Sequence, residues 1–171
     1  MSEYRVTDKH VFFWGSFLSN FEPCYIYYND DGKMRCFTSS EQMFMYFKAK
    51  HFGDTEIMEQ ILAASTPKEA KKLGREVRGF NEIEWTKYRM NYMYEAVWAK
   101  FNQNGRLLVK LLDKKFDNKT FVEASPYDKI WGIGMGMNDS GVDDENNWRG
   151  MNLLGKTITN IRQKFKDNIL L

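Results

Sequence analysis

The sequence predicts an α+β fold, a single mainly helical domain with a small β-sheet over residues 1–171. Strand-like runs are confined to the segment before Ser39 and to one later stretch. Three helix-start signals of the capping-box type follow one another. No repeat, heptad run or low-complexity linker interrupts the chain. With 43 % hydrophobic and 28 % charged residues, the composition suits one ordinary globular core.

In chain order, an aromatic run begins at residues 11–14. Residues 24–28 and 33–38 read as two strands around Asn29-Asp-Asp-Gly32, a turn sequence that tolerates positive φ. Ser39-x-x-Gln42 opens the first helix, and Thr66-x-x-Glu69, with Pro67 at the first helical position, opens another. Asn81-x-x-Glu84 starts a long helix that stops at Asn104-Gly105. Further helices are expected over 54–64 and 106–112. Residues 121–124 form the last strand candidate. A terminal helix over 152–165 places apolar residues 154, 158, 161 and 165 on one face. Residues 137–147, rich in Asn, Asp and Gly, lack the ligand spacing of a calcium loop and read as a mobile surface loop able to act as a lid.

Composition excludes more than it assigns. A formal charge of +2 does not demand a nucleic-acid partner, so any clustering of cations matters more than the total. Cys24 and Cys36 flank the expected hairpin, whose register the sequence leaves open. No apolar leader or bilayer-length stretch is seen, so the chain reads as cytoplasmic with both thiols reduced and no membrane partner. His10 and His51 are far apart and show no metal-ligand spacing with the cysteines, so no zinc site is expected.

Three segments carry candidate chemistry. The run Phe121-Val-Glu-Ala-Ser-Pro-Tyr-Asp-Lys-Ile-Trp-Gly-Ile-Gly134 passes from a strand into a loop presenting Asp128, Trp131 and glycines such as Gly132. Read as a site loop, it offers a carboxylate and a stacking plate; read as structure, it is a glycine-rich turn. On the helix opened by Ser39, Glu41 and Lys48 stand nearly two turns apart on one face among mostly apolar neighbours. They are either pocket groups or a first-turn acid and a snorkelling lysine. On the long helix Trp85 and Arg89 share a face, where Trp85 either stacks on a base or fills the core, and Arg89 supports an anion. Lys68, Lys71, Lys72 and Arg75 form a basic stripe suited to phosphates or to plain solvation. Trp148-Arg149-Gly-Met-Asn152 gathers a cation and an amide before the last helix, with Asn152 also a natural N-cap.

Taken with Phe17-Leu-Ser-Asn20-Phe21, Lys100-Phe-Asn-Gln-Asn104 and Trp148 through Gly155, these blocks resemble the NADAR (YbiA-like) superfamily over nearly the whole chain. The acidic run at 139–145 departs most from the family pattern. The resemblance implies a hydrolase that cleaves the C1–N bond between ribose and a base. Such substrates include ADP-ribosylated guanine in DNA or RNA and a phosphorylated ribosylamino-pyrimidine riboflavin intermediate. It places Glu41, Lys48 and Asp128 as catalytic residues and Trp85 and Trp131 at the substrate. Arg89, Asn20, Gly132, Arg149 and Asn152 are expected as further binding residues, with no cofactor and no metal.

The chemistry fits these residue types. Cleavage builds positive charge at C1 and O4′, which a carboxylate stabilises. Either Glu41 or Asp128 can do this while the other moves a proton. A second route, implied by the resemblance, lets neutral Lys48 attack C1 and form a Schiff base that water hydrolyses. The alternative function is a non-catalytic module that binds ADP-ribose or an NAD derivative.

Overall fold

The structure is a computed structural model that describes residues 4–169. It contains β1 (Tyr4–Val6), β2 (His10–Phe13), β3 (Ile26–Asp30), β4 (Lys33–Phe37), α1 (Ser40–His51), α2 (Thr55–Ala63), α3 (Pro67–Gly74), α4 (Glu82–Gln103), α5 (Gly105–Leu111), β5 (Thr120–Glu123) and α6 (Leu153–Ile169). Single 3-10 turns lie at Lys114–Phe116 and Glu145–Asn147. The α+β class expected from sequence is the class found. The chain forms two compact units, one of residues 1–19 with 106–171 and the other of residues 20–105.

In the first unit β2 pairs antiparallel with β1 and parallel with β5, so the sheet order is β1-β2-β5. β1, only three residues long, is absent from the sequence reading. β2 is buried along its whole length. Phe12, Val122, Ala124, Ile133, Met135 and Val142 build the core beside it. The outer edge of β5 is closed by side chains. The Asn152 amide accepts from Glu123 N–H at 3.0 Å and donates to Phe121 C=O at 3.0 Å, and Thr159 Oγ1 accepts from Phe121 N–H at 2.9 Å. These contacts seat α6 against β5 and leave no strand edge open there. Arg162 of α6, also buried, donates to the carbonyls of Leu111 and Asp113 and to the Asp117 carboxylate.

In the second unit α1 is the central element, packed by α2, α3, α4 and β4. Its residues from Ser40 to Phe47 are all buried. Ser39 caps it as expected, accepting from Gln42 N–H at 3.1 Å. Gln42 does more than a capping box requires: its carbonyl oxygen accepts from Thr38 N–H at 2.7 Å and its NH2 donates to Ile61 C=O at 2.8 Å. Asp54, Thr66 and Asn81 cap α2, α3 and α4. The β3–β4 hairpin turns through Asp31 and Gly32, both at positive φ, and its register sets Cys36 opposite Tyr27, with both cysteines free. Tyr46 Oη and Lys50 Nζ both donate to the Asp30 carboxylate at the hairpin end.

The Lys100-Phe-Asn-Gln-Asn104 block ties α4 to this hairpin. Gln103 acts as a strand fragment, accepting from Tyr27 N–H at 2.8 Å and donating to Tyr27 C=O at 2.9 Å. Asn104 donates to Tyr25 C=O at 3.0 Å. Lys100 itself is fully buried. Loss of hydration pushes its amine down to about 8, against the opposing influence of Cys24 and Glu22.

Two predictions follow from packing and burial. A Cβ at Gly155 would lie 2.2 Å from Phe121 O and 2.3 Å from Asn152 Oδ1, so the β5 seam has to move to admit it. Gly155→Ala should cost on the order of 3 kcal/mol in urea unfolding. A cost below about 1 kcal/mol would show that the seam yields. Lys100 has a folded pKa of about 8, below its ordinary 10.5, so unfolding takes up a proton between these values. The wild type is therefore weakest below pH 8 and strengthens as pH rises toward 10.5. Relative to Lys100→Met, it should gain on the order of 3 kcal/mol between pH 7 and 10. A pH-independent difference between the two proteins would contradict this.

Candidate functional site

In the second unit, the first turn of α1 is fixed by Asn20. Its carbonyl accepts from Glu41 N–H at 3.0 Å, and its side-chain oxygen accepts from Ser40 Oγ at 2.9 Å. Asn20 and Glu41 are both buried, at 6 % and 5 % exposure. Asn20 therefore positions the turn that carries Glu41. Nearly two turns on, Lys48 is half-buried, with Nζ 4.3 Å from the centre of the Phe80 ring. Burial pushes its amine below the usual lysine range. Glu82 opposes that shift, Arg75 adds to it, and Glu41 opposes it more weakly.

Glu82 is shared. Its Oε1 lies 3.3 Å from Arg89 Nη1, and Arg89 is 8 % exposed. The structure thus gathers Glu41, Lys48 and Arg89 with two residues that were not among the expected site residues, Glu82 and Arg75. Glu82 stands in the first turn behind the N-cap Asn81, where helix polarity already accounts for an acid, so the sequence carried no separate signal. Arg75 stands out in the sequence as a cation of the basic stripe and, with Gly74, as part of the family resemblance.

Trp85 is 6 % exposed and stacks on Tyr92, with centroids 5.6 Å apart and planes at 17°. Phe44, His51 and Phe52 pack around it. These contacts place Trp85 within the aromatic packing of the second unit. The exposed rings of the cluster are Phe80 and Tyr88, at 41 % and 40 %.

In the first unit, the expected site loop leaves the C-terminal end of β5, which runs parallel to β2, and this is the side of a parallel sheet on which ligands usually bind. Ala124 N–H bonds Phe13 C=O at 2.8 Å as pairing ends. Ser125 Oγ accepts from Asp128 N–H at 3.2 Å. Asp128 Oδ1 accepts from Ile130 N–H at 2.9 Å and Trp131 N–H at 2.8 Å, while Oδ2 makes no hydrogen bond among the described residues. One carboxylate oxygen thus shapes the loop. Trp131 is half-buried.

Gly132 is buried, and a Cβ there would lie 2.9 Å from Glu123 O, so it faces neighbouring backbone. Asn152, at φ 53° and 1 % exposure, spends both ends of its amide on β5. It precedes α6, yet its side chain does not cap that helix. Arg149 is exposed, its N–H bonded to Ile133 C=O at 2.8 Å.

The segment 137–147, expected as a mobile lid, is instead fastened to β1 and β2. Arg5 pairs with Asp143 at 2.9 Å, His10 Nε2 meets Glu145 Oε1 at 2.7 Å, and Trp148 Nε1 donates to Val142 C=O at 2.8 Å. Buried Val142 plugs it into the core. The Asn, Asp and Gly that suggested looseness are spent on internal turns, such as Asp139 accepting from Gly136 N–H at 2.8 Å. A concavity of about 220 Å³ lined by Arg5, Met137, Asn138, Asp139, Val142 and Asp143 holds none of the expected site residues.

The family model of the NADAR domain matches residues 12–166. A protein of Acanthamoeba polyphaga mimivirus named as an N-glycosidase is 39 % identical over 167 residues, covering 92 % of this chain and 97 % of that protein. A riboflavin biosynthesis protein of Vibrio vulnificus is 29 % identical over 165 residues, covering 96 % of this chain and 38 % of that protein. The NMR structure of the E. coli protein YbiA matches with a TM-score of 0.72 at 25 % identity, covering 98 % of this chain and 91 % of that one.

The charges around Lys48 make its titration separable by mutation. Glu82→Gln should move the Lys48 inflection to lower pH, and Arg75→Gln should move it to higher pH. Both are readable from the pH dependence of amine acylation, followed at Lys48 by peptide mass spectrometry. Movement of both variants in the same direction would break this account.

Proposed function

The chain belongs to the NADAR family, and on that premise we propose that it is an N-glycosidase hydrolysing the C1–N bond of a ribosylated base. The observation that carries the reading is Lys48: a half-buried amine, held below the ordinary lysine range, on the same buried helix as Glu41. A surface lysine at pH 7 is almost wholly ammonium and has no lone pair to offer. An amine with a lowered pKa is neutral in a larger fraction of molecules, and that fraction rises with pH.

In this reading the Lys48 amine attacks C1 as the C1–N bond breaks, and the departing base takes up a proton. The ribose ring opens between C1 and O4′, leaving a Schiff base on Nζ. Water adds to C1 and the C1–Nζ bond breaks, returning the amine and the free sugar. Glu41 is the nearby carboxylate of α1 suited to the proton transfers. Glu82 holds Arg89 and sets the charge around the amine. On the strength of the family resemblance, Asp128 is proposed as a further catalytic carboxylate and Trp131 as a substrate-binding ring.

The substrates that fit are an ADP-ribosylated guanine, free or in nucleic acid, and a phosphorylated ribosylamino-pyrimidine. The name of the Vibrio relative supports the second. The exposed cations Lys68, Lys72 and Arg75 favour a phosphate-bearing substrate in either case.

Both substrates should be offered side by side with borohydride present, and products and protein read by mass spectrometry. The expected result is base release with a sugar-sized adduct on Lys48. Glu41→Gln should lower kcat by about 100-fold or more while ligand binding persists. Turnover without any adduct would eliminate the Schiff-base route. Binding of ADP-ribose with no turnover of either substrate would favour a binding module.

A further inference from the structure

The Lys48 amine faces the ring of Phe80 and not a carboxylate. Among the described residues Nζ makes no ion pair or hydrogen bond, and it lies 4.3 Å from the ring centre. Phe80 is 41 % exposed, so it adds less to the core than its size allows. The backbone that carries it is nevertheless pinned on both sides. Arg78 N–H and Nε donate to Asp54 Oδ2 at 2.8 and 3.0 Å, and Arg78 Nη2 donates to Asp54 Oδ1 at 2.6 Å. Asp54 N–H in turn donates to Ala49 C=O at 2.9 Å, and Ala49 directly follows Lys48. A short chain of hydrogen bonds thus runs from α1 beside Lys48 to the residue two before Phe80. Gly79 turns the backbone at φ 73°, and Asn81 caps α4 by accepting from Glu84 N–H at 2.9 Å. Phe52 packs edge-on against Phe80, with centroids 5.4 Å apart and planes at 68°, and braces the ring itself.

The charged groups around Nζ are Glu82 of α4, Arg75 at the end of α3 and Glu41 of α1 itself. Other titratable groups on the elements packed against α1 are committed elsewhere. Glu56 of α2 pairs with Arg78 and Glu59 with Arg35 of β4. Lys50 is spent on Asp30 and Asp31. His51, one turn on from Lys48, meets Tyr92 Oη at 3.0 Å and Glu84 at 3.7 Å. The ring face therefore supplies the negative potential in direct contact with the amine.

In the reaction proposed at Lys48 the neutral amine becomes cationic. Its lone pair forms the bond to C1 while the C1–N bond to the base breaks, and the base takes up a proton from Glu41. One Nζ proton then passes to O4′ as C1–O4′ breaks and C1=Nζ forms, so the positive charge stays beside the ring until water adds at C1. We propose that the face of Phe80 is the cation-stabilising surface of this reaction, holding the charge that forms on Nζ and spreads to C1 in the Schiff base. The inference rests on the hydrolase reading and adds to it the group that carries the charge at the sugar nitrogen. A ring suits this place better than a carboxylate. A carboxylate in contact would keep the amine as ammonium at neutral pH and withhold its lone pair, whereas a ring attracts the cation more weakly and leaves the neutral form within reach.

The ring is graded by placing mono-, di- and trifluorophenylalanine at position 80, which withdraws electrons from the face at nearly constant shape. Two quantities are followed: the pH dependence of Lys48 acylation by peptide mass spectrometry, and kcat against pH on the two substrates of the glycosidase assay. A poorer ring attracts the ammonium less, so the Lys48 inflection should step down, by about one pH unit for the trifluoro ring. Above the inflection kcat should fall by about tenfold, and below it kcat should change little, because a larger neutral fraction there offsets a slower attack. Phe80→Leu should resemble the trifluoro ring, and Phe80→Trp should keep or raise the inflection. A ring that merely shapes the pocket predicts a loss of kcat that is equal at every pH. That result, or an inflection unmoved across the series and in Phe80→Leu, overturns the proposal. The titration needs no turnover, so the two readings separate. A graded inflection in a protein that releases base from neither substrate overturns the hydrolase reading and the ring's part in it, whereas turnover with an ungraded inflection overturns the ring alone.

Discussion

The first unit depends on one side chain, the amide of Asn152. It stands in the left-handed region, immediately before α6, and bonds the backbone of β5 on either side of Val122. Together with Thr159 Oγ1, that amide closes a sheet edge, and it sets the starting point of α6 and backs the loop that leaves β5 toward Asp128. An aspartate has no NH2 to offer Phe121 C=O, and an alanine would leave two buried backbone groups without a partner. Gly155 lies beneath it because no side chain fits between the amide and Phe121. The loop geometry at Asp128 and Trp131 is therefore held in part from a residue far along the chain.

The elements most legible in the sequence are those whose signals are local. Ser39, Thr66 and Asn81 announce their helices because a cap is a short-range hydrogen bond between a side chain and an N–H three residues on. The hairpin is legible for the same reason. β1 is not, since a three-residue strand takes its identity from pairing with β2 and shows no period of its own. The 137–147 segment misleads for a related reason: its polar residues look solvated, yet long-range partners such as His10 and Arg5 hold it. Among candidate site residues, Glu41 and Lys48 stand out because charge on an otherwise apolar helix is a local anomaly. Trp85 gives no such contrast, because a ring for a ligand and a ring for the core have the same sequence signature. Gly132 and Asn152 catch the eye as loop residues, while the backbone they serve becomes visible only in three dimensions.

Two lysines share the same physical predicament with different outcomes. Lys48 and Lys100 are both pushed below the ordinary range by lost hydration. Lys48 keeps partial access to solvent and a ring of charged neighbours through which its protonation can be tuned. Lys100, on α4, is fully buried, and its amine weakens the fold at neutral pH. The aromatic cluster of Phe44, Phe47, Phe52, Trp85 and Tyr92 supplies the apolar surroundings on the Lys48 side, and the stability gained from packing those rings offsets the cost of holding a reluctant amine.

The stitching of Gln103 to Tyr27 couples two events that are normally separate. Helix ends fray in most proteins without consequence. Here Gln103 is the last residue of α4, and losing that turn withdraws its amide from the hairpin backbone, baring a strand edge beside the exposed Tyr25, Tyr27 and Met34. An uncovered edge with apolar neighbours is a template for pairing with another chain. The C-terminal turn of α4 thus acts as a guard against self-association, and misassembly of this protein should begin at the hairpin when that turn melts.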